Sequence, residues 1–354
     1  MSYQLTSNAM PSKILYLDSR DANLFLATNS NGDDLTSYFQ YVLTENIEIP
    51  LNQRALISLN SATIPYSFYN VRTDINDVIP IKLQNITDGT IIEKDLVLEN
   101  GNYTAFSLAT EIETKFNATG GDFQDDTKGL ATTLTIDFDN VAQKFVIRFS
   151  IIDAGASVGK TLKLTLEFTK TGITSPHIEL GFTIKSDVVF DIVPPANFVD
   201  KKSINVIDVN GSIHGVYIRT NLVSKGTLDT QSGSFSNILS RIPINVQAGG
   251  ILFATPNNAT HRSLVDLRSI NTITIRLTDE RNRILDLNGL NFQIAIAIDF
   301  IYSKKPINIP QGGASQQKFG GSFHNTDKFE QAQNRLINQL RDRKSKIKNK
   351  TKNK

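Results

Sequence analysis

The sequence of 354 residues contains no cysteine and no tryptophan. Without cysteine, the chain can form neither a disulfide framework nor a cysteine-based metal site. The absence of tryptophan counts against sugar binding by stacking on an exposed aromatic platform. No stretch approaches the 18 apolar residues of a membrane-spanning helix, and the first eleven residues lack the apolar run of a signal peptide. We therefore expect a protein that is not secreted.

The charge is distributed unevenly along the chain. The net charge is +2, but residues 341–354 alone carry +7, so the remaining 340 residues sum to −5. The eight cations of this tail are Arg341, Arg343, Lys344, Lys346, Lys348, Lys350, Lys352 and Lys354. Such a cluster predicts salt-dependent binding to an anionic partner without sequence preference. A tail that only improves solubility is the alternative.

Apolar and polar residues alternate with a period of two over most of the chain, which is typical of antiparallel strands with one buried face. The clearest segments are 134–138, 145–149, 162–168, 273–277 and 292–300, and further strands are predicted at 13–17, 39–49, 54–64, 79–83, 215–220 and 250–254. Many short strands separated by Gly, Pro and Asn predict an all-β sandwich or jelly roll. Helices are predicted only at 105–117, capped by Thr104, and at 327–343.

Residues 154–161 match two catalytic patterns. The segment fits a relaxed phosphate-binding loop, and Gly155–Gly159 fits G-x-S-x-G. Both patterns require a helix directly after the loop, whereas residues 162–168 alternate as a strand does. We therefore expect a Gly-rich hairpin turn, no cofactor and no enzymatic activity, and we keep an enzyme that uses this loop as a third hypothesis.

Other titratable residues give weaker signals. None of the four histidines has the spacing of a known zinc motif. The acidic segment 122–126 does not match an EF-hand loop, so a solvated turn is preferred to a surface calcium site. Asp18 with Asp21, and Asp279 with Glu280, could act as acid pairs only if the fold brought each pair together. No metal site is therefore predicted.

Several segments, in their order along the chain, resemble the penton (minor capsid) proteins of virophages and Polinton-like viruses. The segments are LYLDSRD at 15–21, RALISLNSATIPYSFYN at 54–70, GNYT at 101–104, LGF at 180–182 and LTDERNRILDLNG at 277–289. The resemblance covers most of residues 12–302. It implies a jelly-roll protein that closes the five-fold vertices of an icosahedral shell.

This resemblance implies a division of the chain into modules. The modules are a jelly-roll core (12–75 and 205–305), a β-rich insertion with one helix (76–204), a flexible linker (306–325) and a basic tail, helical or disordered (326–354). One continuous sandwich of elaborated strands is the alternative. The turn at Asp286–Gly289 is expected to join two alternating strands as a β-hairpin, because Asn288 and Gly289 tolerate positive φ.

The resemblance also implies partners and a location. The expected partners are the chain itself in a homopentamer, a major capsid protein, and the genome or another acidic interior partner that binds the tail. The protein would be made in the host cytoplasm or virus factory and reside in the virion. Tyr66, Phe68 and Tyr69, just after a strand end, would either plug the sandwich or contact a neighbouring subunit. The alternative function is the receptor- or glycan-binding β-sandwich head of a viral fibre or adhesin.

Overall fold

A computed structural model of the chain describes most of residues 12–302. The described residues are 12–51, 53–118, 123, 131–152, 159–170, 174–209, 213–223, 227–229, 234–256 and 261–302. The predicted linker, the predicted helix at 327–343 and the eight cations of the tail lie outside these residues. So do His324, residues 153–158, and Asp122, Asp125 and Asp126 of the acidic segment.

The described part of the chain contains strands, one α-helix and one 3-10 turn at Ser19–Asp21. The helix is α1 (Ala105–Phe116), and the strands are β1 (Ser12–Asp18), β2 (Leu24–Phe25), β3 (Tyr38–Glu48), β4 (Gln53–Pro65), β5 (Val78–Asn85), β6 (Thr90–Val97), β7 (Thr132–Asp139), β8 (Lys144–Ile151), β9 (Leu162–Leu166), β10 (Val188–Ile192), β11 (Phe198–Lys202), β12 (Gly215–Thr220), β13 (Thr227–Asp229), β14 (Ser234–Ser236), β15 (Ile238–Pro243), β16 (Ile251–Ala254), β17 (Ser263–Val265), β18 (Ser269–Thr278) and β19 (Gln293–Tyr302).

Two antiparallel sheets form the first sandwich. Sheet A has the order β1-β19-β4-β16, with β17 also paired to β4, and sheet B has the order β15-β12-β18-β3-β2. Numbered along the chain, the eight principal strands of these sheets follow the orders 1-8-3-6 and 2-7-4-5. Apart from β12 and β15, neighbouring principal strands are not consecutive along the chain, as in the double Greek key of a jelly roll. The all-β class predicted from the sequence is therefore confirmed, in a jelly-roll-like form.

The core of this sandwich follows from the alternation of its strands. Along β19, Ile294, Ile296 and Ile298 point into the core, whereas Ala295 and Ala297 point outward. Each buried isoleucine contributes about 1.5–3 kcal/mol relative to an exposed one. A single cluster of buried side chains joins sheets A and B, so the two sheets stabilise each other.

The chain between β4 and β12 builds a second layered unit. Sheet C has the order β10-β9-β5-β6, and sheet D has the order β11-β8-β7. Helix α1 packs on β7, and a second buried cluster joins both sheets to the helix. The predicted boundaries of the insertion, at residues 76 and 204, stay a prediction.

Helix α1 begins and ends as its sequence predicts, within one residue. Thr104 Oγ1 accepts a hydrogen bond from the Ser107 N–H at 3.2 Å, and Ser107 Oγ accepts one from the Thr104 N–H at 2.9 Å. This reciprocal capping satisfies donors that a helix start leaves free. At the end of the helix, the ring of buried Phe116 lies 6.5 Å from that of Phe149 in edge-to-face contact.

Two predicted hairpins are wrong, both for the same reason. Asn288 and Gly289 do adopt positive φ, 51° and 76°, but the strands before and after them, β18 and β19, belong to opposite sheets. Likewise, residues 154–161 connect β8 of sheet D to β9 of sheet C. A turn sequence specifies a change of direction, whereas the choice of pairing partner depends on the distant strands that complete each sheet.

Candidate functional site

The described end of the 154–161 segment lacks the architecture of a phosphate-binding loop. The segment is followed by strand β9 and not by a helix. The Lys160 ammonium pairs with the Asp88 carboxylate, and the Thr161 N–H donates to Thr87 Oγ1 at 2.9 Å. A strand start supplies no convergent N–H groups and no helix dipole. Both catalytic patterns require a helix directly after the loop, and this requirement is not met.

Three of the four acids that could act as pairs only if the fold brought them together are engaged by other groups. Asp18 accepts hydrogen bonds from Arg20, which hold the pKa of its carboxyl well below the usual range. Asp279 is fully buried against arginines, whereas Glu280 accepts from the His214 N–H at 2.6 Å. Within the described ranges, no three His, Asp or Glu side chains converge as metal ligands would.

A buried charge cluster lies between the first sandwich and the layered unit of sheets C and D, which we call the second sandwich. Arg283 Nε donates to Asp279 Oδ2 at 2.6 Å, and Arg72 Nη2 lies 3.3 Å from the same oxygen. Arg72 follows β4 and leads into the second sandwich, whereas Asp279 ends β18 of the first. The Nε and Nη1 atoms of Arg72 are buried without a hydrogen-bond partner. The cluster therefore joins two parts of the fold through charges that depend on one carboxylate.

Glu179 lies next to this cluster, in the turn at residues 177–181. Its Oε1 accepts a hydrogen bond from Asn76 Nδ2. Burial raises the pKa of this carboxyl to about 7, with Asp208 adding to the rise and Arg72 opposing it. Glu179 is therefore partly protonated near neutral pH, unlike an ordinary surface glutamate.

The three predicted contact aromatics differ in exposure. Tyr66 and Phe68 are buried in the core of the first sandwich, with ring centroids 4.6 Å apart. Tyr69 is half-buried. The positions of Tyr66 and Phe68 fit the plugging role, because buried rings leave almost no surface for a neighbouring subunit. A subunit contact stays a prediction, and Tyr69 is the member with accessible surface for it.

Tyr69 borders a polar cleft of about 370 Å³. Other lining residues include Asn29, Arg72, Asp286 and Asn288. Amide, carboxylate and hydroxyl groups at the wall of a cleft can donate and accept hydrogen bonds with a polar ligand. The cleft thus has donors and acceptors of the kind that bind a saccharide.

The outer surface of sheet A, which we name face A, is nearly free of charge at its centre. Face A consists of Ile14, Tyr16, Ser61, Thr63, Ile251, Phe253, Leu264, Gln293, Ala295 and Ala297. Tyr16 is 78% exposed, Phe253 65% and Ile251 61%. Such exposed apolar residues on one face, grouped and not scattered, are typical of an interaction surface.

Face A has a recessed floor between raised walls. The cross-strand register places Tyr16 beside Ala295, and Ala295 beside Ser61. Thr63 in turn lies beside Phe253. Small residues thus form the floor, and large aromatic residues stand on the first and last strands. Two hollows of about 320 and 250 Å³ occupy this floor.

The outer surface of sheet B, which we name face B, has a different chemistry. Face B consists of Leu24, Tyr38, Gln40, Val42, Tyr217, Arg241, Thr272, Thr274 and Arg276. The Arg276 guanidinium carbon lies 5.6 Å from the ring centroid of Tyr38, and that of Arg241 lies 5.8 Å from Tyr217. Each pair has the geometry of a cation–π contact.

Sequence reasoning missed most of these sites. Residues 251–253 are all apolar, and a strand with apolar residues on both faces indicates that both faces are covered; this signal could have identified face A. The same holds for residues 14–17. Arg72 and Asp279 gave no such signal, because 207 positions separate them. The predicted binding site in the basic tail lies outside the described residues.

Comparisons with known proteins find similarity among solved structures. No protein-family model matches the chain, and no curated protein matches it. Among solved structures, the crystal structure of the selenomethionine-labelled mavirus penton protein is similar to 82% of this chain and 100% of that chain, with 12% sequence identity and a TM-score of 0.46. The strand order of sheets A and B identifies the jelly-roll-like fold independently of this similarity.

No helix among the described residues has the length and apolar content needed to cross a bilayer.

Proposed function

We propose that the chain is a structural virion protein, a penton or minor capsid subunit that closes the five-fold vertices of an icosahedral capsid. Face A carries this proposal. A monomeric soluble protein gains nothing from exposed Tyr16, Ile251 and Phe253 on one sheet, whereas a subunit buries them on assembly. The segments that resemble, in the same order along the chain, penton proteins of virophages and Polinton-like viruses support the same role.

In this role the protein acts through its surfaces and performs no catalytic step. Five copies form a closed ring, and a ring requires a heterologous interface in which one patch meets a different patch on the next copy. The ring also contacts the major capsid protein. The cations of residues 341–354 bind the genome or another acidic interior partner, because clustered lysines release counterions from phosphates. The protein then resides at the capsid vertex.

The polar cleft beside Tyr69 favours a second candidate, a receptor- or glycan-binding head. An array of neutral and acidic saccharides, probed with the wild-type chain and with Asn288→Ala, separates the two functions. The structural proposal predicts no binding above background for either protein. Saccharide binding by the wild-type chain that Asn288→Ala abolishes would favour the head.

The native mass of the purified protein tests the structural proposal. It is measured over a concentration series for the full chain and for a chain that ends at residue 325. We expect both proteins to reach five copies, because the proposed interface lies in the sandwich and not in the tail. Monomers of both proteins at every concentration would contradict self-assembly. Loss of assembly on tail removal would contradict the sandwich interface.

A further inference from the structure

We propose that face A of one copy packs against face B of a second copy of this chain. The inference rests on the proposed function and specifies its interface. A heterologous contact needs two different patches on each copy, and the outer faces of sheets A and B are two such patches. Because they belong to opposite sheets of one sandwich, both can be occupied in the same subunit.

The size of face A fits a subunit contact. Four strands about 4.8 Å apart, with about 3.4 Å per residue along the ten residues of β19, give a surface of roughly 650 Å². Each partner in a specific interface buries about 800 Å². Face A therefore provides most of the area that a stable contact requires, even if no surface of the second sandwich takes part.

The chemistry of the two faces is complementary. Face A has an uncharged centre. The carboxylates of Asp18 and Asp21 lie at one end of it, where they line one of its hollows, and Asp18 pairs there with Arg20. Face B presents the guanidinium groups of Arg241 and Arg276. Tyrosine and arginine are enriched at interface cores, whereas lysine and glutamate are depleted. Face B has this composition, and face A supplies recesses between small residues that can accept such side chains.

The two ends of the contact can be disrupted separately. Tyr16→Glu places a charge on one wall of face A, and Arg241→Glu reverses the charge on face B. Both side chains are exposed, so neither change is expected to alter folding, and an unchanged thermal unfolding midpoint verifies this. The controls are Val141→Glu, which also introduces a negative charge, and Lys201→Glu, which also reverses a charge. Both positions are exposed on the second sandwich.

Each variant alone is expected to associate at least about 30-fold more weakly than the wild-type chain, as loss of a dominant contact residue does. The two controls are expected to associate as the wild type does. An equimolar mixture of Tyr16→Glu and Arg241→Glu is then decisive. One intact face A and one intact face B remain between them, so the mixture is expected to form dimers that contain one copy of each variant.

Other outcomes overturn the inference or the proposed function separately. If the wild type forms rings and both variants do too, the A-to-B contact is wrong while the vertex role stands. If Tyr16→Glu is monomeric but Arg241→Glu still dimerises, face A pairs with itself and the inference is wrong. If the mixture dimerises as expected but the wild type forms open filaments, the contact is right and five-fold closure is wrong.

Discussion

Arg72 and Asp279 form a buried ion pair across 207 positions of the sequence, with Arg72 Nη2 3.3 Å from Asp279 Oδ2. Arg283 Nε donates to the same oxygen at 2.6 Å, so one carboxylate contacts two guanidinium groups. The pair connects the start of the second sandwich to the end of β18 in the first. The pair therefore joins a segment that leads into the second sandwich to a fully buried carboxylate of the first.

Asp279→Asn is expected to destabilise the protein strongly. The amide keeps the size of the carboxylate but removes the negative charge that contacts Arg72 and Arg283. Loss of one partner from a buried ion pair costs about 3–5 kcal/mol. Urea unfolding of the variant measures the loss. Asp200→Asn is the control, because the Asp200–Arg148 pair is solvent-exposed and such pairs contribute at most about 1 kcal/mol. Equal losses in both variants would show that the cluster has no special role.

Glu179 gives the protein a pH-dependent stability of unusual sign. Its folded-state pKa of about 7 lies above the ordinary value of 4.5, so between these values the folded state binds more protons than the unfolded state. Stability therefore falls as pH rises from about 4.5 to about 7, by up to about 3 kcal/mol from this group, and then levels off.

The variant Glu179→Gln tests this effect. Glutamine keeps an oxygen that can accept the Asn76 hydrogen bond, but it does not titrate. The free energy of unfolding of the wild type, minus that of the variant, is expected to decrease between pH 4.5 and pH 7. Glu99→Gln, at an exposed position, should keep the wild-type profile. A difference that does not change with pH for Glu179→Gln would refute the assignment.

Gly181 is required where the chain passes close to residues 203–205. Its φ is +73°, and a Cβ there would lie 2.6 Å from the Asn205 carbonyl oxygen. Gly181→Ala is expected to cost about 2–4 kcal/mol, since backbone strain adds to the steric clash. Gly249→Ala has a similar φ of +85° but open space around its Cβ, so it should cost only about 1 kcal/mol. Similar chemical denaturation midpoints for the two variants would contradict the steric argument.

Phe68 and Tyr69 separate the plugging role from the contact role. Phe68 is fully buried, so Phe68→Ala is expected to cost about 3–5 kcal/mol of folding stability. Tyr69→Ala, at a half-buried position, should cost clearly less. Thermal unfolding measures the two losses, and native mass measures any effect on association. If Phe68→Ala left stability unchanged, its place in the core would be wrong.

Local sequence patterns predict the strands well and their partners poorly. The alternation in β7, β8, β9, β18 and β19 follows from one buried face per strand, which is a local property. Which strand pairs with which depends on the whole chain. For this reason the turn sequence predicts a hairpin of β18 and β19, although the two strands belong to different sheets. The long-range pairing of the jelly roll becomes visible only when all eight strands are placed.

The candidate sites show the same limit. Thr104 and α1 could be predicted because a helix cap is defined within four residues. The Arg72–Asp279 pair could not, since neither residue differs in its local pattern from an ordinary surface charge. Face A lies between these cases. The apolar run at residues 251–253 indicates a covered surface, but only the register of sheet A places Phe253 and Tyr16 on the same face.

The rotational symmetry of the assembled protein is the most direct test of the claim that five copies form a closed ring. Electron microscopy of the purified full chain, at concentrations where it associates, yields class averages whose rotational symmetry counts the copies. The vertex proposal predicts closed rings with five-fold symmetry and a mass of about 196 kDa, five times 39.2 kDa. Two-fold dimers, rings of another order, or single copies at every concentration would contradict it.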